Sequence, residues 1–404
     1  MGSMVVENRA ARVRREAETP GRWFGQVLIV AACAAVSQGF ARFTYPFVLP
    51  QMTDDVLGGS YSAAGVLGAV NLGGYLAGLL LVTWIGSRLE SSRLLKIGLV
   101  LTCAGLAVVG LAPNYPVLVV GMAVTGGCSA AVWIPAAGVV AARSPQRHRG
   151  VAFGITTAGI GLSIVGIGIV ATAVHHWSAP DRWREVWLVE AALAALIFVW
   201  ALARLRSTTA GARSTARARV RHLTRGFYRL FSSYFLYGAS FALFTSYLMA
   251  ALQDGGLTQG AAAGTYGLLG LASMAGGLVL GRLSDRLSRR AVLAGGIIGS
   301  GVLCLFVPLQ FIGLATPVAL AYGLLMTGIG SVLVAYISDT VDMQHVPATF
   351  GTVTMSLGIS QLIAPPIGGW LIDHTGGFAW TYALAAATGV AGGLIAMTLP
   401  RARS

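Results

Sequence analysis

Charge is what this chain has least of. Only 10% of its 404 residues are Asp, Glu, Lys or Arg, against about a quarter in soluble domains, and so few charges cannot cover a water-soluble fold of this size. Acids are scarcest, 14 Asp and Glu against 28 Lys and Arg. The four cysteines, Cys33, Cys103, Cys128 and Cys304, all lie in apolar stretches without C-x-x-C spacing, which argues against a disulfide framework and a zinc site. The histidines, His148, His175, His176, His222, His345 and His374, fall in or near loops and never beside Cys or carboxylates at metal-ligand spacing. His175-His176 beside Trp177 reads as an interfacial belt. Neither a G-x-S-x-G elbow nor a phosphate-cradling loop occurs. Enzymatic activity, ATP-driven pumping, a resident metal and a cofactor are therefore not expected.

What the chain has in abundance is apolar residues, 55% of the total, and glycine, 54 residues. The apolar residues form charge-poor runs of about 20 or more, long enough to cross a bilayer core of ~30 Å. Such runs must be helical, because hydrocarbon offers no partner to a free N–H or C=O. Helices are expected near 24–50, 61–85, 94–112, 116–142, 150–174, 186–205, 230–252, 262–281, 291–313, 317–337, 351–372 and 380–399. The expected class is an all-α membrane protein of twelve transmembrane helices. Val30-Ala31-Ala32-Cys33 has the look of a lipoprotein cleavage box, but its apolar run continues to Pro50, so the first run reads as a retained helix.

The net charge of +14 raises the question of nucleic acid, and the placement of the charges answers it. Basic residues gather in alternate loops, the bias that sets membrane orientation; eight Arg and no acid occur between Arg204 and Arg229. Both termini are then expected in the cytoplasm, with the chain in the inner (plasma) membrane as a monomer and no nucleic acid as partner. The organisation reads as a tail 1–23, six helices over 24–205, a basic central loop 206–229, six helices over 230–399 and a tail 400–404. An internal repeat supports this division. Ala77-Gly78-Leu79-Leu80-Leu81, Ser87-Arg88-Leu89 and Gly98 align without gaps on Ala275-Gly276-Gly277-Leu278-Val279, Asp285-Arg286-Leu287 and Gly296. Two six-helix bundles related in parallel by a pseudo-two-fold axis suit alternating access to a small-molecule site at mid-bilayer.

The most specific motif is Gly281-Arg282-Leu283-Ser284-Asp285-Arg286-Leu287-Ser288-Arg289-Arg290. It resembles the G-x-x-x-D-R-x-x-R-R loop of the major facilitator superfamily, and helix count, central loop and repeat position extend the resemblance over the whole chain. Gly281 would serve a tight turn, Asp285 would cap a neighbouring helix, and Arg286, Arg289 and Arg290 would stay at the anionic leaflet. The resemblance implies that this loop latches the outward-facing state, with Asp285 as the latch; Ser87 stands at the matching place in the first half. Gly39-Phe40-Ala41-Arg42-Phe43-Thr44-Tyr45, Asn71-Leu72-Gly73-Gly74-Tyr75, Ala158-Gly159-Ile160-Gly161-Leu162, and Trp183 with Trp187 look like the YbfB/YjiJ-type branch. Met122 departs from the wider pattern, where many members carry an arginine of a proton relay.

An ionised side chain inside a membrane helix faces a cavity, a partner or a ligand. Arg42 shares one helix face with Gln38 and Tyr45, and could bind a carboxylate in a bidentate fork or serve structurally beside Asp54 and Asp55. Asn71, Tyr75, Trp133, Tyr234, Tyr237 and Phe241 are further candidate pocket residues, with packing as the alternative for each. Glu190 is the one carboxylate well inside a predicted span and the candidate for proton coupling; Asp54, Asp55, Asp254 and Asp373 sit at outer helix ends. The expected activity is transport of a small organic solute, an anionic metabolite by virtue of Arg42. A multidrug or metabolite efflux antiporter and a non-transporting receptor or scaffold are the alternatives.

Overall fold

The computed structural model describes residues 22–85, 89–145, 148–177, 182–207, 225–308, 312–341 and 345–400. Twelve helices account for almost all of them. The first, α1, runs Arg22–Ala34, passes through a π-helical stretch Ala35–Phe40 and continues Ala41–Asp55. The others are α2 (Tyr61–Ile85), α3 (Ser91–Gly110), α4 (Tyr115–Arg143), α5 (Arg149–Trp177), α6 (Trp183–Arg204), α7 (Arg225–Asp254), α8 (Gln259–Arg286), α9 (Arg289–Cys304), α10 (Ile312–Thr340), α11 (Val346–Thr375) and α12 (Ala379–Met397). Eleven are long and apolar enough to cross a membrane. The exception is α9, whose 16 helical residues end in a turn at Leu305 and Phe306 rather than continuing towards 313 as the apolar run implies.

Helix ends follow local chemistry. Asn114 caps α4 by accepting from Val117 N at 3.2 Å, and Thr258 caps α8 by accepting from Ala261 N at 3.3 Å. Gly376 ends α11 in a left-handed conformation at φ 70°. Many boundaries lie outward of the sequence reading, two of them beyond a proline or a glycine. Helix α1 continues through Pro46 and Pro50 to Asp55, since packed neighbours re-satisfy backbone groups that proline frees. Helix α8 continues through Gly281 to Arg286, so the link to α9 is only Leu287 and Ser288. Gly281 is thus an interior helical residue and not the turn that the motif implies.

The described residues form two compact units. One contains 22–44, 73–85, 89–145, 148–163 and 184–207; the other contains 45–72, 164–177, 182–183, 225–308, 312–341 and 345–400. The same pairings recur in both. In the first, a methyl group on Gly78 would overlap the Gly127 carbonyl of α4; in the second, one on Gly276 would overlap the Leu324 carbonyl of α10. Gly78 and Gly276 are partners in the sequence repeat, and in both places glycine lets two backbones touch. Gly39 of α1 lies against Ser163 of α5, and Gly238 of α7 lies against Ser360 of α11, a second equivalent pair.

A third correspondence is polar. The last carbonyls of α6 and the residues after it receive Gln26 Nε2 from α1 (to Arg204 O, 2.9 Å), Lys96 Nζ from α3 (to Leu205 O, 2.9 Å) and Arg143 Nη2 from α4 (to Ser207 O, 2.5 Å). The end of α12 receives Arg229 Nη1 from α7 (to Thr398 O, 2.7 Å), Arg290 Nη1 from α9 (to Leu399 O, 3.0 Å) and Tyr336 from α10 (to Pro400 O, 2.9 Å). Cations at a helix C-terminus satisfy orphan carbonyls and complement the negative end of the dipole. The glycine contacts at the repeat positions and the polar contacts at the ends of α6 and α12 therefore recur at equivalent places.

The glycine contacts are directly testable. Gly78→Ala and Gly276→Ala should each destabilise the purified protein by about 1–3 kcal/mol, the usual cost of overpacking. Gly281→Ala should instead be neutral or stabilising by up to ~1 kcal/mol, because it is helical with nothing within 4 Å of the added methyl. Thermal unfolding in one detergent, compared across the three variants, decides; a Gly281→Ala loss as large as that of Gly276→Ala would refute the assignment.

Candidate functional site

The local irregularity of α1 positions its polar residues. Gln38 lies in the π-helical stretch and is 5% exposed; such widened turns re-aim side chains and recur at functional sites. Arg42 follows one turn later, and its Nη1 donates to Gln38 Oε1 at 3.2 Å. Its Cζ lies 5.2 Å from the centroid of the Tyr75 ring on α2, a cation–π contact. Gln38 uses its acceptor on Arg42, while its Nε2 is a buried donor with no partner among the described residues. A neutral amide and an aromatic face thus both contact the guanidinium.

The other expected site residues divide by environment. Asn71 is buried one turn before Tyr75 on α2, and Trp133 is half-buried on α4. Tyr45 is 3% exposed and donates its hydroxyl to the Ala64 carbonyl of α2, so it fastens α1 to α2. Tyr234 and Tyr237 belong to the apolar core of the second unit with Leu293, Ile297 and Leu333, and Phe241 packs against that core. Their rings form a ladder, 5.4 Å from Tyr234 to Tyr237 and 6.2 Å from Tyr237 to Phe241. Tyr234 and Tyr237 are thus buried in that core, with Phe241 half-buried against it.

Glu190 is fully buried on α6. Its Oε2 accepts from Thr44 Oγ1 of α1 at 2.7 Å, and its Oε1 has no partner among the described residues. Trp187, one turn earlier, is equally buried with its indole Nε1 also without a partner there. Thr44 is the residue that sequence reasoning missed. It lies two positions beyond Arg42, so α1 touches the cationic group and the acidic one within a single turn. The available signal was a hydroxyl two residues from the intramembrane arginine.

The motif between α8 and α9 is arranged differently from its expected geometry. Asp285 is exposed, and its partner among the described residues is Arg289 of the following helix, at 3.5 Å. Arg289 also pairs with Asp339 of α10 at 2.5 Å. Arg290 is committed to the end of α12, and Arg286 lies in the last turn of α8. Ser87, the first-half counterpart of Asp285, lies outside the described residues, as do the tail before Arg22, most of the basic central segment and 401–404.

Comparison with known proteins accounts for this architecture. A family profile described as uncharacterised MFS-type transporter YbfB matches residues 34–397. Among curated proteins, Monocarboxylate transporter 12-B of Danio rerio is 30% identical over 163 residues, 38% of this chain and 34% of that protein. Monocarboxylate transporter 6 of Mus musculus is 31% identical over 126 residues, 31% of this chain and 27% of that protein. The matches thus span about a third of those relatives' length. Among solved structures, the xylose transporter XylE of E. coli in an inward open conformation superposes with a TM-score of 0.76 at 13% identity, covering 95% of this chain and 97% of that one. A D-xylose–proton symporter superposes with a TM-score of 0.71 at 14% identity, covering 93% and 98%. At such identities these structures speak for the fold, and the family profile speaks for descent: this chain is a multi-pass membrane transporter of the major facilitator superfamily and belongs to its YbfB-type family.

Proposed function

We propose that this transporter carries a small organic anion bearing a carboxylate, with Arg42 as the group that receives it, by alternating access between two six-helix halves. The observation that carries the reading is the placement of Arg42: a guanidinium within a membrane helix, oriented by Gln38 and Tyr75. Membrane-embedded cations of this kind mark substrate paths, and the planar fork of arginine suits a carboxylate. Partial similarity to two monocarboxylate transporters supports the same solute class. Tyr75 beside Arg42 adds an aromatic face to the polar groups, the mixture usual for ligand sites. We place both termini in the cytoplasm of a plasma-membrane monomer, since basic residues cluster at the ends of α6 and α12.

Uptake by proteoliposomes, measured across a panel of short monocarboxylates, amino acids and lipophilic cations, tests the substrate class. Arg42→Ala should lower uptake of the preferred acid by about 30-fold or more, the cost of removing one partner of a buried charge pair. Arg42→Lys should recover only part of it, because lysine lacks the fork. Undiminished uptake in a correctly inserted Arg42→Ala protein rejects the proposal. Transport of cations alone would favour an efflux antiporter, and equilibrium binding without counterflow would favour a receptor.

Energy input is proposed to enter through Glu190. A carboxyl buried in the membrane beside a single hydroxyl is a place where a proton can be held, since ionised groups at such depth are expensive. Glu190→Gln should abolish uptake driven by a pH gradient while preserving exchange of labelled for unlabelled solute. Equal loss of both activities in a well-folded variant would assign Glu190 to structure.

A further inference from the structure

The end of the molecule away from the basic loops holds a polar contact that the proposed transport cycle does not yet use. Helix α2 starts at Tyr61 with its first amides pointing out of the helix, and an α-helix cannot satisfy these from within. Ser60 satisfies one, accepting from Ala63 N at 3.2 Å. The next two are satisfied from a different helix, 311 and 312 residues further along the chain: Asp373 of α11 accepts from Tyr61 N at 2.8 Å through Oδ1 and from Ser62 N at 2.9 Å through Oδ2. The Ser60 hydroxyl donates to the same Oδ2 at 3.0 Å. One carboxylate therefore holds three donors at a helix N-terminus, where negative charge is also favoured by the dipole.

The contact is built into the packing around it. A methyl group on Gly369 of α11 would overlap the Tyr61 carbonyl, and one on Gly65 of α2 would overlap the Pro365 carbonyl, so the backbones of the two helices touch over this stretch. The Tyr61 ring meets Phe378 edge-on at 5.3 Å and Tyr247 at 6.3 Å. The Tyr247 hydroxyl donates to the Pro365 carbonyl at 2.5 Å. In the sequence, α2 belongs to the first repeat and α11 to the second. The seam therefore joins residues of the two sequence repeats within one compact unit, and a separation of the repeats at this end would have to break it.

We propose that Asp373 is an outer latch: by capping the N-terminus of α2 from α11 it holds closed the side of the transporter opposite the basic loops. This deepens the alternating-access reading and rests on it, but not on the identity of the solute. A charged acceptor serving three donors gives the latch enough strength to bias the equilibrium, and its exposure to solvent leaves water to take over each donor when the helices part. Asp285 is then not required to act as the sole switch, since the two ends carry separate polar ties.

Hydrogen exchange read by mass spectrometry on the full chain in nanodiscs tests the latch without a ligand. In Asp373→Asn, exchange over 60–66 and 369–376 should rise about tenfold, the equilibrium shift that a helix cap of ordinary strength supports. Exchange over 282–292, at the basic end, should fall as that end closes in turn. Asp373→Glu should restore part of both changes, and Ser60→Ala, which removes one of the three bonds to Asp373 together with the Ala63 cap, should reproduce them in weaker form at both ends if Asp373→Asn fails to fold. A rise confined to 60–66, with the basic end unmoved, would make Asp373 a simple cap and overturn the proposal while leaving the Arg42 reading intact. No change at either end in both variants would also overturn it.

Discussion

The constraint from which the rest follows is that hydrocarbon supplies no hydrogen-bond partner. Every backbone group inside the membrane must be satisfied by its own helix, and helices so completed have little hydrophobic reason to associate with one another. What remains is close packing, and close packing needs side chains small enough for backbones to meet. Gly78 against Gly127 and Gly276 against the Leu324 carbonyl are where that need is met. The high glycine content, 54 residues, is thus a cause of the fold. It would be a liability in soluble helices, where each interior glycine costs about 1 kcal/mol relative to alanine.

The same constraint explains why so few polar residues carry the function. A group such as Arg42 or Glu190 within the membrane requires a reason to be there, and the structure gives each a specific neighbour on or beside α1. Gln38 and Tyr75 hold Arg42, and Thr44 holds Glu190. Because Gln38, Arg42 and Thr44 lie within two turns of one irregular helix, a shift of α1 would displace Arg42 together with the hydroxyl that is bonded to Glu190 of α6. On the proposed reading, that shared support on α1 is what would link an anion at Arg42 to a proton at Glu190.

The fold was legible in the sequence because its signals are long and repeated. Twelve apolar runs gave twelve helices, and the ungapped repeat around Gly78 and Gly276 corresponds to equivalent backbone contacts. Helix ends were less legible. Pro50 and Gly281 read as stops by the rules of soluble proteins, yet α1 and α8 run past them, because lipid enforces helicity more strongly than local propensity opposes it. The site was legible in part. Helical spacing gave the pairing of Gln38 with Arg42, since four residues make neighbours on a helix. Tyr45 shares that spacing but spends its hydroxyl on Ala64, and Tyr234 and Tyr237 are buried in core. Periodicity identifies a face; it does not say which neighbour covers it. The contact between Ser60 and Asp373, 313 residues apart, could not be read at all without the fold.

The two ends of the molecule use the same chemistry for opposite purposes. At the basic end, each capping interaction stays within one set of six helices: Gln26, Lys96 and Arg143 serve the end of α6, and Arg229, Arg290 and Tyr336 serve the end of α12. Such bonds stiffen a half and survive any motion between halves. At the other end, the carboxylate of Asp373 on the eleventh helix serves the amides of the second, a bond between repeats that cannot survive their separation. A carrier that moves its halves as rigid bodies needs both kinds: ties within a half that never break, and ties between halves weak enough to break in every cycle. A few exposed, charge-assisted hydrogen bonds meet the second requirement better than a buried apolar seam, because water can replace them without a large change in exposed apolar surface.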